Sequence, residues 1–289
     1  MEIRWKDAAH PGMNVNKKDG VVFLTFPALE KLPFIRHGFS TRLGGVSEGV
    51  CASMNLSFAR EADADKVREN FRRIGSALGI RPEQMVGSMQ THTRNVITIT
   101  GKDAGNAVTR PQSFRDVDGM ITAVPGLALV TYFADCVPLY FVDLSEKVIG
   151  LAHSGWKGTC ARIGEAVISR MAAEFGCRSE NILAAIGPSI CQSCYEVSED
   201  VARAFREEFR EPGACERILM PGKAPDKSQL DLWEANRQVL LSAGILPQHI
   251  QTAGLCTCCN PDFLFSHRAS SGKRGNLAAF LMLDEKAPN

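Results

Sequence analysis

The stretch LALVTYFADCVPLYFVDLSEKVIGLAHSGWKG, residues 127–158, decides how the chain folds. Residues 127–133 and 147–152 are short, mostly apolar runs of the kind that forms buried strands. Cys136 follows the first run, and His153 ends the second, just before a glycine-rich turn. Open α/β sheets place their binding sites beyond the ends of buried strands, so we expect these two side chains to belong to a functional site.

Hydrophobic spacing outside this stretch predicts the remaining elements. Strands are predicted at 21–26, 34–41, 95–100, 181–186 and 277–283, and helices after Asp63, after Thr159, at 201–209 and at 232–242. Early strands follow one another, whereas later strands alternate with helices. This order favours an α+β fold of layered mixed sheets in a single domain. The polar segment 1–20 is expected to be flexible, with residues 21–289 forming the domain.

The overall composition is that of an ordinary globular protein. The chain has 289 residues, of which 45% are hydrophobic, and a net charge of +1, so nothing attracts it broadly to nucleic acid or anionic membranes. The N-terminus lacks the apolar core of a signal peptide, and Asp135 and Pro138 interrupt the most apolar run. We therefore expect a cytoplasmic protein whose cysteines are free thiols, with neither nucleic acid nor membrane as a partner.

A metal site is the chemistry that these residues favour. His92 lies in Gln90-Thr91-His92-Thr93, directly before a predicted strand. The thiolate of Cys136 and the imidazoles of His92 and His153 make a tetrahedral zinc set with one open position, which is the catalytic arrangement. The spacing alone is weak evidence, because a buried cysteine is usually a small hydrophobe. The glycines and charged residues beside Cys136 and His153 strengthen the metal interpretation.

Nine short motifs occur in order along the chain. They are GFSTRLGGVS (38–47), NLS (55–57), QTH (90–92), VDG (117–119), ADCVPL (134–139), HSGWKGT (153–159), GPSI (187–190), CYEV (194–197) and FSHR (265–268). Together they resemble the YfiH or laccase-domain family, also called the polyphenol oxidase or peptidoglycan editing factor family. The resemblance implies a layered YfiH-like α+β fold and a zinc ion bound by His92, Cys136 and His153. It also implies phosphorolysis of adenosine, inosine and methylthioadenosine, with deamination of adenosine.

These activities suggest roles for particular residues. Deamination needs an activated water and a carboxylate that moves protons, and Asp135 is the nearest candidate, although it could equally cap a turn. Phosphorolysis needs a phosphate site, and Arg42 beside Gly44-Gly45 offers a guanidinium with approachable amides. Without the resemblance, a hairpin turn with a solvated arginine would be favoured. Catalytic roles are thus assigned to Asp135, Arg42 and Cys136, and substrate-binding roles to Ser40, Arg42, Asn55, Gln90, Lys157 and Arg268.

Three positions depart from the family pattern. Ser154 follows His153 where alanine is common, and Ala269 stands where a second arginine is usual. Arg274-Gly275-Asn276 replaces a Thr-Gly-Arg sequence, so the expected arginine is displaced or absent. These changes leave the metal ligands intact and bear on phosphate affinity and substrate preference.

There are three other interpretations, the first of which is a copper-dependent polyphenol oxidase. A chain with six histidines and no His-x-His pair cannot build a four-copper oxidase, although copper can occupy the zinc ligands because Cu(II) outcompetes zinc for such donors. The cysteines at 191, 194, 256, 258 and 259 suffice for a Cys₄ zinc or redox module, but they lack the short knuckle context and could equally be buried thiols. A zinc hydrolase that edits mis-incorporated amino acids in peptidoglycan precursors would use the same ligands.

Overall fold

The computed structural model describes residues 2–285, so the last four residues of the predicted 21–289 domain lie outside the described part. The strands within it are β1 (Asn14–Lys18), β2 (Val21–Thr25), β3 (Ile35–Ser40), β4 (Met85–Gly87), β5 (Val96–Thr98), β6 (Gly119–Thr122), β7 (Ala128–Phe133), β8 (Val137–Asp143), β9 (Ile149–Ser154), β10 (Ile182–Ile186), β11 (Glu196–Ser198), β12 (Leu219–Pro221), β13 (Lys227–Leu230), β14 (Ile250–Thr252) and β15 (Leu277–Leu283). The α-helices are α1 (Pro27–Glu30), α2 (Ala64–Leu78), α3 (Trp156–Cys160), α4 (Ile163–Phe175), α5 (Glu199–Glu208), α6 (Ala214–Ile218) and α7 (Leu232–Ser242).

Two six-stranded mixed sheets form the centre of the fold. The first has the order β1-β2-β3-β15-β7-β4, and the second has the order β14-β10-β8-β9-β6-β5. Each combines antiparallel neighbours with parallel ones, such as β4 with β7 and β10 with β14. A small antiparallel sheet, β11-β13-β12, lies apart from both. The predicted α+β fold of layered mixed sheets is confirmed.

The two large sheets pack face to face. Phe39 of the first sheet and Tyr140 of the second share one buried cluster, and the Tyr140 hydroxyl donates to the Gly38 carbonyl at 3.0 Å across the interface. Because side chains alternate along a strand, Phe141 points the other way, into the cluster that also contains side chains of α4 and α7. Both faces of β8 are therefore buried, which explains why its sequence reads as a continuous apolar run.

Helices cover the outer faces of both sheets. Val67, Phe71 and Ile74 of α2 pack on the first sheet, as their spacing predicts. The Asp63 side chain accepts from an amide in the first turn of this helix, and Gly79 ends it in the left-handed conformation with φ 71°. The structure thereby confirms this predicted helix. No helix within residues 2–285 combines the length and the apolar character needed to cross a bilayer.

The start of α4 differs from the sequence prediction. Thr159 does not cap this helix, because its hydroxyl is buried and donates to the Gly155 carbonyl at 2.9 Å. The chain first forms the short helix α3 and then passes through Arg162, which has a left-handed φ of 58°. The apolar face and the closing glycine at 176 are as predicted.

The N-terminal segment is more ordered than its polar sequence predicts. Residues Asn14–Lys18 pair antiparallel with β2 as an edge strand, and Trp5 forms a β-bridge with Leu255. Four of the five β1 residues are exposed, so the strand lacks the apolar alternation by which strands are recognised. The expected flexible segment 1–20 therefore contains a strand and a tertiary contact.

Asn70 of α2 forms hydrogen bonds that hold residues 46–55, in the loop before this helix, in place. Its Oδ1 accepts from the Val46 amide at 2.8 Å, and its Nδ2 donates to the Asn55 carbonyl at 2.8 Å. The same Nδ2 is also within hydrogen-bond distance of Ser47 Oγ and the Ser53 carbonyl. The side chain is fully buried, so water cannot replace these partners.

We predict that Asn70→Ala lowers the free energy of unfolding by about 2–4 kcal/mol, because several buried polar groups lose their partners at about 1–3 kcal/mol each. Arg72→Ala, on the exposed face of the same helix, should change it by about 0.5 kcal/mol or less. Urea denaturation measures both variants. Equal midpoints for the two would contradict the role given to Asn70.

Candidate metal centre

Three side chains with metal-binding atoms come together in the structure. His92 lies between β4 and β5, Cys136 lies between β7 and β8, and His153 lies in β9. Their ligand atoms are all within 4.8 Å of one another. Strands β4 and β7 belong to the first large sheet, whereas β5 and β8 belong to the second. Two of the three side chains therefore lie where the chain crosses from one sheet to the other.

The buried carboxylate of Asp118 organises this group. Its Oδ1 lies 2.8 Å from Nδ1 of His153 and accepts from the His92 amide at 3.1 Å, while its Oδ2 accepts from the Thr93 amide and hydroxyl at 2.8 Å each. When Nδ1 of His153 donates to Asp118, Nε2 is left as the metal-binding nitrogen. Asp118 thus fixes one imidazole and the backbone that carries the other.

The pKa values of the two imidazoles shift in opposite directions. Burial lowers the pKa of His92, and the neighbouring His153 lowers it further. Burial also lowers the pKa of His153, but the neighbouring Cys136 side chain and the hydrogen bond to Asp118 outweigh it and raise that pKa to about 9. Metal ligation requires a neutral imidazole, so binding of a metal ion should release the His153 proton.

Gly155 keeps space open beside the three side chains. A Cβ at this position would lie 2.7 Å from His92 Nδ1 and 3.1 Å from Cys136 Sγ. One thiolate and two imidazoles, open on one side, suit zinc in its catalytic arrangement, and copper competes for the same donors. The residues therefore fit a metal ion.

The three side chains open onto a cleft of about 270 Å³. The other residues that line it are Arg60, Gln90, Tyr132, Ala134, Arg274 and Asn276. Two of these are arginines, and none of the cleft-lining residues in the described chain is acidic. Such a cleft favours an anionic ligand next to the metal centre.

Arg274 is the arginine that the sequence pattern suggests is displaced or absent. The structure places it in the cleft, where its guanidinium hydrogen-bonds to the Asn276 side chain. Its Nε is buried and has no hydrogen-bond partner among the described residues. Burial lowers the pKa of Arg274, and the charge of Arg60 lowers it further. An unpaired donor on a partly desolvated cation is suited to binding an anion.

Arg42 lies outside the cleft. Its guanidinium donates to the carbonyls of Ala52 and Pro261, at 2.7 Å each, and so joins two distant parts of the chain. A Cβ at Gly45 would lie 2.1 Å from the Ser53 carbonyl oxygen, so this glycine permits close packing of two chain segments. The structure thus gives Arg42 a structural position in place of the predicted anion cradle and catalytic role.

Asp135 also differs from its predicted role as a proton shuttle. Its Oδ1 accepts from the Thr257 hydroxyl at 2.6 Å, and its Oδ2 accepts from the Arg268 amide at 2.7 Å. The residue has a positive φ of 89° and does not line the cleft. These contacts agree with the turn interpretation, in which Asp135 holds the backbone next to Cys136.

Two of the predicted substrate-binding residues lie at or behind the cleft. Gln90 lines it and pairs with the backbone of Tyr132, accepting at 2.6 Å and donating at 2.8 Å. Asn55 is buried behind it, and its Oδ1 accepts from the Asn276 amide at 2.9 Å. Asn55 therefore acts on the cleft only by positioning Asn276.

The other three are not among the residues that line the cleft. Ser40 is buried and accepts from the Ala278 amide. The Arg268 guanidinium donates to two backbone carbonyls, at 3.0 Å each. Lys157 is exposed beside the ring of Trp156. Lys157 is nevertheless close enough to His92 for its charge to add to the effects of burial and His153 in lowering the pKa of that imidazole.

Sequence reasoning missed Asp118, Arg60 and Arg274 as site residues. Asp118 stands in one of the nine motifs, where it carries no assigned role, and Arg274 is noticed only as a departure from the pattern. Arg60 has no local signal, because nothing near it in sequence indicates which way its side chain faces.

The family described as multi-copper polyphenol oxidoreductase laccase matches residues 36–284. The chain belongs to this family. It is 35% identical to a purine nucleoside phosphorylase of Bacteroides thetaiotaomicron over 262 residues, which cover 90% of this chain and 96% of the relative. It is 32% identical to the adenosine deaminase RL5 of an unknown prokaryotic organism, over 83% of this chain and 93% of the relative. The crystal structure of Bacillus licheniformis YfiH superimposes with a TM-score of 0.86 at 30% identity, over 93% of this chain and 99% of that one.

The comparisons confirm the resemblance to the YfiH or laccase-domain family, and the chain is an enzyme of this family. Its ligand inventory does not match the several histidine-rich sites of a four-copper oxidase. Two groups of residues within 2–285 could hold a metal ion: the group of His92, Cys136 and His153, and a group of four cysteines. The family description therefore does not by itself assign copper chemistry to this chain.

We predict that Asp118→Asn weakens Zn²⁺ binding at this centre by about 10- to 100-fold, because the residue that orients a ligating histidine contributes that much to metal affinity. Competition with a chromogenic zinc chelator measures the affinity. The matched control is Asp116→Asn, since Asp116 is exposed and accepts from the Thr91 hydroxyl. A folded Asp118→Asn variant with unchanged affinity would contradict the role of Asp118.

Proposed function

We propose that the chain is a zinc-dependent purine nucleoside phosphorylase, with zinc held by His92, Cys136 and His153. The observation that carries this proposal is the composition of the cleft, in which Arg60 and Arg274 lie beside the metal ligands and none of the described lining residues is a carboxylate. Phosphorolysis requires a phosphate site, whereas deamination requires a group that moves protons. The similarity to a purine nucleoside phosphorylase supports the substrate class.

Phosphate is proposed to bind between Arg60 and Arg274. Charge-assisted hydrogen bonds from arginine are the strongest that a protein offers to phosphate, and paired donors fix its orientation. The unpaired Nε of Arg274 supplies a donor without breaking an existing bond to protein. The like charge of Arg60, which lowers the pKa of Arg274, would be offset by the anion.

The nucleoside is proposed to bind across Tyr132 and Asn276. These residues line both the cleft and an adjoining cavity of about 530 Å³. Phe58 also lines that cavity, and stacking of a base on an aromatic ring is worth about 1–3 kcal/mol. The base would thus occupy the larger cavity, with its ribose directed toward the arginines.

Phosphorolysis transfers the ribosyl group from a base nitrogen to a phosphate oxygen. The C1′–N bond breaks, a C1′–O bond forms, and the proton of hydrogen phosphate balances the one gained by the departing base, so the products are the free base and ribose 1-phosphate. Arg60 and Arg274 would hold the phosphate charge close to C1′, where positive charge develops in the transition state. Holding both reactants in one cleft also contributes through orientation. A zinc ion, when bound, supplies Lewis-acid polarisation and activation of a water molecule.

Adenosine deamination is the second candidate function. It is supported by the similarity to an adenosine deaminase and by a ligand set that can activate water. Asp135, the predicted proton carrier, instead binds Thr257 and Arg268. The peptidoglycan-editing alternative would use the same ligands and would release an amino acid, so the reaction products distinguish all three.

We predict that zinc-loaded protein converts adenosine to adenine and ribose 1-phosphate only when phosphate is present. Chromatography of the products, with and without phosphate, tests this. Inosine formed in both reactions would establish deamination, and no turnover of adenosine, inosine or methylthioadenosine would contradict the proposed function.

We also predict that Arg274→Ala reduces kcat/KM for phosphate by about 10- to 100-fold, which corresponds to the loss of about 1.5–3 kcal/mol from a hydrogen bond to a charged group. Arg203→Ala is the control, because Arg203 is an exposed cation of α5 that does not line the cleft. Unchanged kcat/KM for phosphate in Arg274→Ala would place the phosphate outside the cleft.

A further inference from the structure

A second cluster of metal-binding side chains lies outside the cleft. Cys191 and Cys194 belong to a turn that follows β10, and Cys256 and Cys259 follow β14. The four Sγ atoms are all within 4.8 Å of one another. Both pairs have the spacing C-x-x-C, which is the ligand spacing of zinc-binding turns.

The sheet topology explains why the two pairs meet. Strands β10 and β14 are parallel neighbours, so the segments that follow them leave the same edge of the sheet side by side. Ser189 and Cys256 continue this pairing as an isolated parallel bridge just before the cysteines. In the sequence, neither cysteine pair lies in the short turn that usually holds a structural zinc ion. In the structure, the parallel pairing brings together two such pairs that are more than sixty residues apart.

The distances suit a tetrahedral sulfur site. A zinc ion with bonds of about 2.3 Å to four sulfurs places those sulfurs about 3.8 Å apart. In the structure, Sγ of Cys259 lies 3.5 Å from that of Cys194 and 3.9 Å from that of Cys191. The amides of Cys191 and Cys259 donate to Sγ of Cys256 at 3.2 and 3.4 Å. Such N–H···S bonds stabilise a thiolate that binds a metal ion.

The surroundings of the cluster are cationic. Arg4 and Lys6 of the N-terminal segment line the same cavity as Cys191, Cys256 and Cys259. The segment is held there by the Arg4 amide, which donates to the Asn260 side chain at 2.8 Å. Four thiolates around a divalent cation carry two net negative charges, which these side chains would partly offset.

We propose that Cys191, Cys194, Cys256 and Cys259 bind a structural zinc ion. Four protein ligands close the coordination shell, which is the property of structural sites rather than catalytic ones. The zinc would join the segment after β10 to the segment after β14. Within the second segment, Thr257 donates to Asp135, which precedes Cys136. The second site therefore supports the turn that carries one ligand of the first.

Metal counting in a background without the first centre tests this proposal. The variant His92→Ala/His153→Ala removes two ligands of the catalytic centre, and all proteins are expressed in zinc-supplemented medium and analysed by plasma mass spectrometry. We expect two zinc ions per chain in the native protein and one in this variant. X-ray absorption of the remaining zinc should show four sulfur neighbours at about 2.3 Å.

Cysteine variants in the same background assign the ligands. Cys191→Ser/Cys259→Ser should lose the remaining zinc, whereas Cys258→Ser should keep it, because Cys258 lies in the same segment but outside the group of four. The X-ray absorption spectrum of His92→Ala/His153→Ala tests for a four-sulfur zinc site even if the double cysteine variant does not fold. These measurements count metal ions, so their outcome is independent of nucleoside turnover.

Three results would overturn the proposal. The background variant could contain no zinc, it could contain iron with visible absorption, or its zinc could have nitrogen or oxygen neighbours. Mass spectrometry of the denatured native protein detects disulfides. Two disulfides among the four cysteines would also exclude a metal site.

Discussion

Asp118 accepts hydrogen bonds from the His153 imidazole and from the backbone of His92 and Thr93, and it is completely buried. A buried carboxylate is unfavourable unless its oxygens are saturated with donors, so the chain around it has little freedom to rearrange. Strand register places it there: Asp118 directly precedes β6, whose first residue pairs with Ala152 next to His153. The same constraint holds His92 in a left-handed conformation, with φ 64°.

The other side of the metal centre is fixed by a different set of contacts. Cys136 follows Asp135, whose carboxylate accepts from the Thr257 hydroxyl and the Arg268 amide, both in the part of the chain between β14 and β15. Loops that cross between two sheets would otherwise be mobile, because few backbone groups in them have partners within a sheet. Asp118 on one side and Asp135 on the other keep the ligands in place.

Local sequence signals predict many of the helices and strands, but not β1, and they single out the three side chains that meet at the candidate metal centre. The spacing of Val67, Phe71 and Ile74 predicts α2, and residues at the ends of apolar runs predict the three ligand side chains. Contacts between distant segments determine which side chains reach the cleft and which cysteines meet, and local signals do not predict these contacts. Arg274 reaches the cleft because Asn55 binds the amide of Asn276, more than two hundred residues along the chain. Arg42 lies beside Gly44-Gly45 and so has the stronger local signal of an anion site, but its guanidinium donates to backbone carbonyls instead. Similarly, the two C-x-x-C pairs become one cluster only when β10 and β14 lie parallel.

One cleft is proposed to hold both a metal ion and a phosphate. A crystal structure of the zinc-loaded protein grown with phosphate, with an anomalous map at the zinc absorption edge, tests it most directly. We expect a zinc peak within bonding distance of His92, Cys136 and His153, and phosphate density between Arg60 and Arg274. A zinc peak without these three ligands, or phosphate bound at Arg42 with the cleft empty, would contradict the account.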